Sequence, residues 1–370
     1  MYYAHTLYKS GDIKVLEING VCPTPENLRG GKYPFATCYY AVYRQGDEAA
    51  AFAEWLQSDA GKNVSGKRGI FLISNDFFLD TPPFPVICSS KFTHGEGCAM
   101  ENGISQVRQY YDENAVREWT RLEEHPFEFL LTVYMLEKYI RPGDRVLDIG
   151  GGPGRYAIHL AKMGCRVALV DLSESNIALA REKAAEAGVT LETRVSNCLE
   201  LDALPLGEYD HVLLMGPLYH LLEEADRIRT VELALDRLKP GGLFYASFIL
   251  LFAGVIYDLK NGGFIVHDSA DPFLSRLLSA LETGDNYTGP AFTSACFYHQ
   301  NQILPFMERF PLKKLHLFGQ EGILAPNERE ILARDQTEID CWLTLAKRFL
   351  ELPELLAYSE HAMYIGKKLE

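Results

Sequence analysis

The chain is short of basic residues and has no paired cysteine motif. Its 370 residues include 36 Lys and Arg against 50 Asp and Glu, which gives a net charge of −14. Because nucleic-acid binding relies on clustered Lys and Arg, we expect no nucleic-acid partner. The eight cysteines form no C-x-x-C pair and show no metal-ligand spacing. Free thiols in a reducing cytosol, without a bound metal, are therefore predicted.

The sequence also lacks a long apolar run. No window reaches the roughly 20 apolar residues of a membrane span, and the nearest candidate, Phe244 to Tyr257, is better explained as a strand and its exit. Met1 and the residues that follow do not resemble a signal peptide. We therefore expect a cytoplasmic protein with no membrane partner. The length suits two domains, and nothing indicates the oligomeric state.

The most informative motif is Val146-Leu-Asp-Ile-Gly-Gly-Gly-Pro-Gly154. It predicts a buried strand that ends on an acid and turns through glycines into a helix, a place where nucleotide-like ligands bind. Gly152, Gly154 and Ala157 also fit the weaker G-x-G-x-x-G/A dinucleotide fingerprint. We expect the carboxylate of Asp148 to point into the mouth of the pocket. It would repel a pyrophosphate there and attract an ammonium group.

This acid with alternating glycines resembles the first motif of the class I S-adenosylmethionine-dependent methyltransferases. The resemblance implies an α/β fold with a Rossmann-like sheet of seven strands and helices on both faces. It also implies S-adenosylmethionine as the cofactor, held by Asp148, Gly150, Gly151 and Gly152. An NAD-dependent oxidoreductase is the less favoured alternative, because Asp148 does not suit a dinucleotide.

A second acid ends the next predicted strand, Arg166 to Asp171. A carboxylate about 20 residues beyond the glycines can accept both hydroxyls of a ribose. The alternative, that Asp171 only caps or solvates a turn, has about even odds when the residue is considered alone. By resemblance, Leu172 packs against the adenine ring. Ser173 suits the N-cap of a helix over residues 174–187.

The third and fourth predicted strands supply the remaining site residues. After a strand near 191–195, Asn197 and Cys198 stand where the family most often has Asp and Ala, so Asn197 would reach the adenine amine through its side-chain carbonyl. Strand four, Tyr209 to Met215, opens by resemblance onto the transferred methyl group. Met215 would therefore contact the cofactor. His220 is the best candidate for a general base, and the alternative is that it caps or packs a loop. Tyr219 would orient the substrate or contact the sulfonium through its ring face.

The rest of the chain completes the family pattern. Lys239-Pro-Gly-Gly predicts the turn before a fifth strand, and sixth and seventh strands are expected at 312–317 and 361–367, around a helical stretch at 327–350. Residues 250–305 exceed a simple crossover. We expect them to form a substrate cover at the ligand edge of the sheet, within a methyltransferase domain over 105–370.

The N-terminal part differs in character. Residues 110–129 are expected to be helical, and by resemblance Tyr111 covers the methionine end of the cofactor. Residues 1–75 resemble the C-terminal portion of the phosphate-binding proteins of ABC importers. Because that resemblance covers only a fraction of such a protein, we expect a small accessory segment without a ligand. Residues 76–104, rich in proline and weak in periodicity, are the predicted linker.

The sequence therefore predicts a methyltransferase that acts on a small molecule. The cofactor carries the reactivity in such an in-line displacement, so the protein mainly aligns the partners and excludes water. A non-catalytic regulatory protein that retains the cofactor fold is the alternative. No feature of the sequence identifies the methyl acceptor.

Overall fold

The computed structural model describes residues 99–261 and 272–370, all within the unit Thr93–Glu370. The predicted accessory segment at 1–75, and the predicted linker up to residue 98, lie outside the described residues. The first helix, α1, spans Ala99–Glu124 and so begins inside the predicted linker. Helix α2 follows at Pro126–Leu136.

One sheet of nine strands organises the described residues. The strands are β1 Arg145–Ile149, β2 Arg166–Asp171, β3 Glu192–Val195, β4 Tyr209–Leu214, β5 Leu238–Leu250, β6 Tyr287–Pro290, β7 Ser294–Tyr298, β8 Leu312–Gly319 and β9 His361–Lys368. Seven of them lie in the order β3-β2-β1-β4-β5-β9-β8. The first five are parallel, and β9 is antiparallel to both of its neighbours. The predicted Rossmann-like methyltransferase fold is confirmed.

Alternation along the strands divides the core between the two faces of the sheet. Leu147 and Ile149 of β1 pack on one face with Val231 and Ala234, which belong to helix α5, Glu224–Asp236. The remaining helices of this part of the fold are α3, Arg155–Lys162, and α4, Glu174–Glu186. Val146 packs on the opposite face, in a cluster that includes residues of α2, α3 and α4. Helices therefore cover both faces, as a parallel sheet requires.

The two additional strands come from the segment predicted as a substrate cover. Between β5 and β8 the chain forms α6 at Phe252–Asn261, α7 at Pro272–Thr283, the β6–β7 hairpin and α8 at Ile303–Met307. Strand β4 pairs with β5 as far as Ala246, whereas β7 pairs with Ile249 and Leu250 further along. The hairpin therefore lies beyond the carboxyl end of β4, at the edge where the sequence places the ligand.

The chain between β8 and β9 is helical, as predicted, but it is broken into pieces. Helix α9 spans Glu328–Leu332 and α10 spans Gln336–Phe349. The break occurs because Asp335 adopts an extended conformation and caps α10 by accepting a hydrogen bond from the Glu338 N–H at 3.0 Å. Among the described helices, none combines the length and the hydropathy that spanning a bilayer requires.

Candidate functional site

A pocket opens at the carboxyl edge of the sheet, where β1 to β4 end beneath α1. Of the twelve residues that the sequence predicts for the site, eleven line it: Tyr111, Gly150, Gly151, Gly152, Asp171, Leu172, Asn197, Cys198, Met215, Tyr219 and His220. Gly150 to Gly152, Asp171, Leu172, Asn197 and Cys198 form what we call the β2–β3 end. Tyr111, Met215, Tyr219 and His220 form the β4 end. The strand order places these two groups side by side along the edge.

Asp148 is the residue that the pocket leaves out. Its side chain is fully buried, and neither carboxylate oxygen has a hydrogen-bond partner. A Cβ atom added at Gly151 would lie 2.5 Å from its Oδ2, so the glycine turn packs directly over the carboxylate. The prediction that this carboxylate points into the mouth of the pocket is wrong. Burial and the nearby Asp171 raise the pKa of Asp148 to about 7.

Asp171 holds the glycine turn. Its carboxylate accepts hydrogen bonds from the Gly152 N–H at 2.8 Å, the Ser173 N–H at 2.9 Å and the Asn176 amide at 3.1 Å. The capping role left open by the sequence is therefore present. A carboxylate offers about four acceptor positions, so capacity for a ligand hydroxyl remains on the pocket side. Burial raises the pKa of Asp171, although these three donors oppose the shift.

Asn197 and Cys198 close the β2–β3 end. The Asn197 side-chain carbonyl accepts the Leu199 N–H at 3.1 Å and caps the short helix Cys198–Ala203. The same oxygen also accepts the Cys198 thiol at 3.6 Å, so an exocyclic amine would have to replace that weak bond. The Cys198 thiol accepts a hydrogen bond from Thr230 Oγ1 at 3.7 Å, and burial raises its pKa to about 11. Cys198 is thus a neutral lining residue.

Helix α1 forms the roof of the pocket and is fastened at Asp112, a residue that the sequence does not single out. Its carboxylate accepts hydrogen bonds from Ser173 Oγ at 2.6 Å and from the Ser175 N–H at 3.2 Å. Ser173 is the N-cap of α4, as predicted, and accepts the Asn176 N–H at 3.1 Å. Asp112 thereby joins the roof to the positive end of the α4 dipole.

The β4 end is built around His220. Its Nδ1 lies 3.3 Å from the Ser294 carbonyl oxygen, which can only accept, so Nδ1 carries the proton. Nε2 is then the acceptor for the Tyr111 hydroxyl at 2.8 Å. Removal from water lowers the pKa of His220 to about 4, so its imidazole is neutral at pH 7. Ser294 belongs to the hairpin, which shows that the cover segment contacts the predicted base.

Aromatic rings surround this histidine. Tyr219, Tyr111 and Phe292 lie with ring centroids 4.9, 5.3 and 5.9 Å from that of His220. The Tyr219 hydroxyl donates to the Met215 carbonyl at 3.2 Å and so fixes the exit of β4; it can still accept a hydrogen bond from another group. Phe292 comes from the hairpin and is half exposed. In the sequence, Phe292 is one of many aromatic residues in the predicted cover segment and carries no signal of its own.

A charged wall borders the β4 end, formed by Glu118, Arg121 and Glu128. Arg121 donates to Glu118 at 2.7 Å and lies 3.6 Å from Glu128. Glu128 also accepts the Tyr156 hydroxyl at 3.3 Å. The sequence predicts none of these roles. The i, i+3 spacing of Glu118 and Arg121 is the only local signal for them.

The chain is similar to several solved structures and to one family model. A 1,6-didemethyltoxoflavin-N1-methyltransferase from Burkholderia thailandensis has a TM-score of 0.46 and 16% identity, covering 75% of this chain and 94% of that protein. The magnesium protoporphyrin IX methyltransferase from Synechocystis has a TM-score of 0.44 and 13% identity, covering 72% and 99%. A family described as "Methyltransferase domain" matches residues 146–242.

Curated relatives share more sequence. The ubiquinone biosynthesis O-methyltransferase of Hahella chejuensis is 30% identical over 169 residues, which cover 42% of this chain and 69% of that protein. The enzyme of the same name from Xanthomonas campestris is 32% identical over 114 residues, covering 31% and 46%. The chain thus spans about half the length of several of the curated relatives that it matches. It belongs to the class I methyltransferase family.

Proposed function

We propose that the chain transfers a methyl group from S-adenosylmethionine to a small-molecule acceptor by in-line displacement. The observation that carries the proposal is a single pocket in which the glycine turn, Asp171 and a neutral His220 converge. A nucleotide-like ligand that extends from the β2–β3 end to the β4 end would have its reacting part beside His220.

The residues present suit S-adenosylmethionine. Asp148 lies beneath the turn without a hydrogen-bond partner and has a pKa of about 7, so a positively charged ligand would stabilise its ionised form and a pyrophosphate would disfavour it. Gly152 has a φ of 57°, and only Asn176 Nδ2, at 3.9 Å, lies near the position of its missing Cβ, so a ligand can approach the backbone. Asp171 retains acceptor capacity for a ribose hydroxyl.

Each lining residue then has a defined task. Gly150 to Gly152 and Asp171 hold the adenosine part, with Leu172, Asn197 and Cys198 against the adenine. Tyr111 and Met215 bound the methionine end. When bound, the cofactor supplies an electrophilic methyl group on a sulfonium ion. The roof helix and the hairpin exclude water, and the aromatic walls align the acceptor.

His220 would receive the proton of the acceptor at Nε2. The Tyr111 hydroxyl occupies that lone pair in the structure, so an acceptor O–H or N–H has to replace it. A pKa near 4 makes His220 a weak base. A weak base suffices when the acceptor atom becomes strongly acidic as its new bond to carbon forms. The neutral imidazole also avoids repulsion of a cationic sulfonium.

The names of the relatives point to an oxygen acceptor, because several are O-methyltransferases of ubiquinone biosynthesis. We infer a hydroxyl group on a planar ring, which the rings around His220 suit. A non-catalytic protein on the same fold would bind the cofactor without turnover over a broad panel of phenols. Cytoplasmic location, the lack of a nucleic-acid partner, and the accessory segment at 1–75 stay predictions.

Calorimetric titration with S-adenosylhomocysteine tests the cofactor assignment. We expect saturable binding by the full chain and at least about tenfold weaker binding by Asp171→Ala, because loss of a charged acceptor costs about 1.5–3 kcal/mol. Asp202→Ala, at an exposed aspartate paired with Arg229, is the matched control. Absence of saturable binding by the wild type would contradict the proposal. Wild-type affinity in Asp171→Ala would contradict the role of Asp171.

A further inference from the structure

A second group of side chains beside the pocket has no role in the proposed transfer. Glu128 lies in the first turn of α2, Glu321 follows β8, and His361 is the first residue of β9. One ligand atom from each lies within 4.8 Å of those of the other two. Glu128 and Glu321 are 9% and 5% exposed. We call this group the Glu–Glu–His cluster.

The sheet topology brings these residues together. Strand β9 is antiparallel to β8, so the start of β9 lies next to the end of β8, with Gly319 opposite Ala362. Glu321 accepts hydrogen bonds from the Glu360 and His361 N–H groups at 3.1 and 3.0 Å, and its other oxygen lies 2.6 Å from His361 Nδ1. These bonds fix both residues. The position of Glu128 is therefore the one least constrained by the backbone.

Charge accounting shows that the cluster and the adjoining charged wall are too negative by themselves. Three carboxylates, Glu118, Glu128 and Glu321, are accompanied by the guanidinium of Arg121. Burial opposes a charge on His361, but Glu321 and Glu128 outweigh it and raise the pKa of His361 to about 9, so its imidazolium is a second cation at pH 7. One negative charge is then left over, which is costly where water is scarce. A divalent cation that displaces the His361 proton would bring the sum to zero.

We propose that the Glu–Glu–His cluster binds one divalent cation whose remaining coordination positions face the pocket. Carboxylate oxygens and an imidazole nitrogen at about 2.0–2.2 Å are suitable ligands for zinc or manganese. The three ligand atoms already lie within 4.8 Å of one another, so one ion can be shared among them. Three protein ligands leave positions open, as in sites that also bind small molecules. Because Glu128 lines the pocket, the open coordination positions would face the pocket. The inference does not rest on the proposed methyl transfer.

Manganese is the probe that tests this site most directly, because Mn²⁺ prefers oxygen and imidazole ligands to the thiols of this cysteine-containing chain. Titration of the full chain, followed by electron paramagnetic resonance, should show saturable binding of one Mn²⁺ with coupling to one histidine nitrogen. His361→Gln should abolish the nitrogen coupling. Glu128→Gln should weaken binding by at least about tenfold.

His316→Gln provides the matched control. His316 Nδ1 lies 2.7 Å from Glu351, which reproduces the histidine–glutamate pair of the cluster without a third ligand. This variant should bind Mn²⁺ as the wild type does. Circular dichroism checks that every variant is folded. If His361→Gln fails to fold, the nitrogen coupling of the wild type and the loss of affinity in Glu128→Gln still decide the question.

Two results would overturn the inference. Absence of saturable Mn²⁺ binding by the wild type up to millimolar concentration would show that His361 and the two glutamates form only an ion-paired structural group. Unchanged affinity and nitrogen coupling in both cluster variants would place the bound ion elsewhere in the chain.

Discussion

At the β2–β3 end of the pocket, Asp171 is held by donors 2, 5 and 19 positions away in the chain, whereas His220 at the β4 end is held by partners 74 and 109 positions away. The first set belongs to one continuous stretch, from the turn after β1 to the first turn of α4. The second joins α1, the exit of β4 and the hairpin after β5. Binding of the adenosine part and binding of the acceptor thus depend on different parts of the molecule, and mutations should separate them.

Replacement of His220 should give the largest effect and act on turnover alone. We expect His220→Ala to lower kcat by about 100-fold or more, the usual contribution of a general base. The affinity for S-adenosylhomocysteine should fall by no more than about tenfold, because His220 acts on the cofactor site only through the one hydrogen bond to Tyr111. Steady-state kinetics and calorimetry measure the two quantities.

His159→Ala is the control for that variant, since His159 pairs with Glu137 at the surface, away from the pocket. A loss of cofactor affinity in His220→Ala as large as its loss of turnover would remove the distinction between the two ends.

The same contrast explains how much the sequence could predict. The glycine turn, Asp171 and the Ser173 cap follow from local patterns, and the structure contains all three. The side chain of Asp148 could not be oriented, because that depends on how closely the Gly151 backbone packs over it. The exit of β4 could be predicted from local patterns, but the hydrogen bond from Tyr111 to His220 could not.

The Glu–Glu–His cluster shows the limit most clearly. In the sequence, most strands of the sheet lie between Glu128 and Glu321. Metal-ligand spacing, in contrast, is recognised only between residues that are near each other in the chain. Only the antiparallel pairing of β8 with β9 brings Glu321 next to His361. The sequence therefore predicts no metal, because no local spacing reveals this group. Likewise, Asp112 has no motif of its own, although it links the roof helix to α4.

Loss of Asp112 should have an intermediate effect, at the place where the two ends meet. Asp112→Ala removes the acceptor of Ser173 Oγ and of the Ser175 N–H. We expect the free energy of unfolding to fall by about 1–2 kcal/mol, as for loss of a helix cap. Affinity for S-adenosylhomocysteine should fall about three- to tenfold, because the roof is released.

Denaturant unfolding and calorimetry measure these changes. Glu113→Ala is the neighbouring control, because Glu113 is exposed and its side chain accepts a hydrogen bond from Gln109 on the same helix. If turnover at saturating cofactor fell together with affinity, Asp112 would also position the β4 end, and the two regions would be less independent than their contacts indicate.

The smallest expected effect is in the pH profile, and it sharpens the assignment of His220. Burial lowers its pKa to about 4, so the neutral form that can accept a proton persists as the pH falls through 6.5, the ordinary value for histidine. Activity governed by this group should be nearly unchanged between about pH 8 and pH 5.5, and should decline only as pH approaches 4. A histidine with pKa 6.5 would instead retain about a tenth of its neutral form at pH 5.5. Measurement of kcat/KM across this range, with thermal unfolding recorded at each pH, separates loss of the base from loss of the fold. Asp148 has a pKa of about 7, so Asp148→Asn is the control. An inflection near pH 6.5 that persists in folded Asp148→Asn would mean that His220 is hydrated and that the hairpin and roof do not keep water from the β4 end.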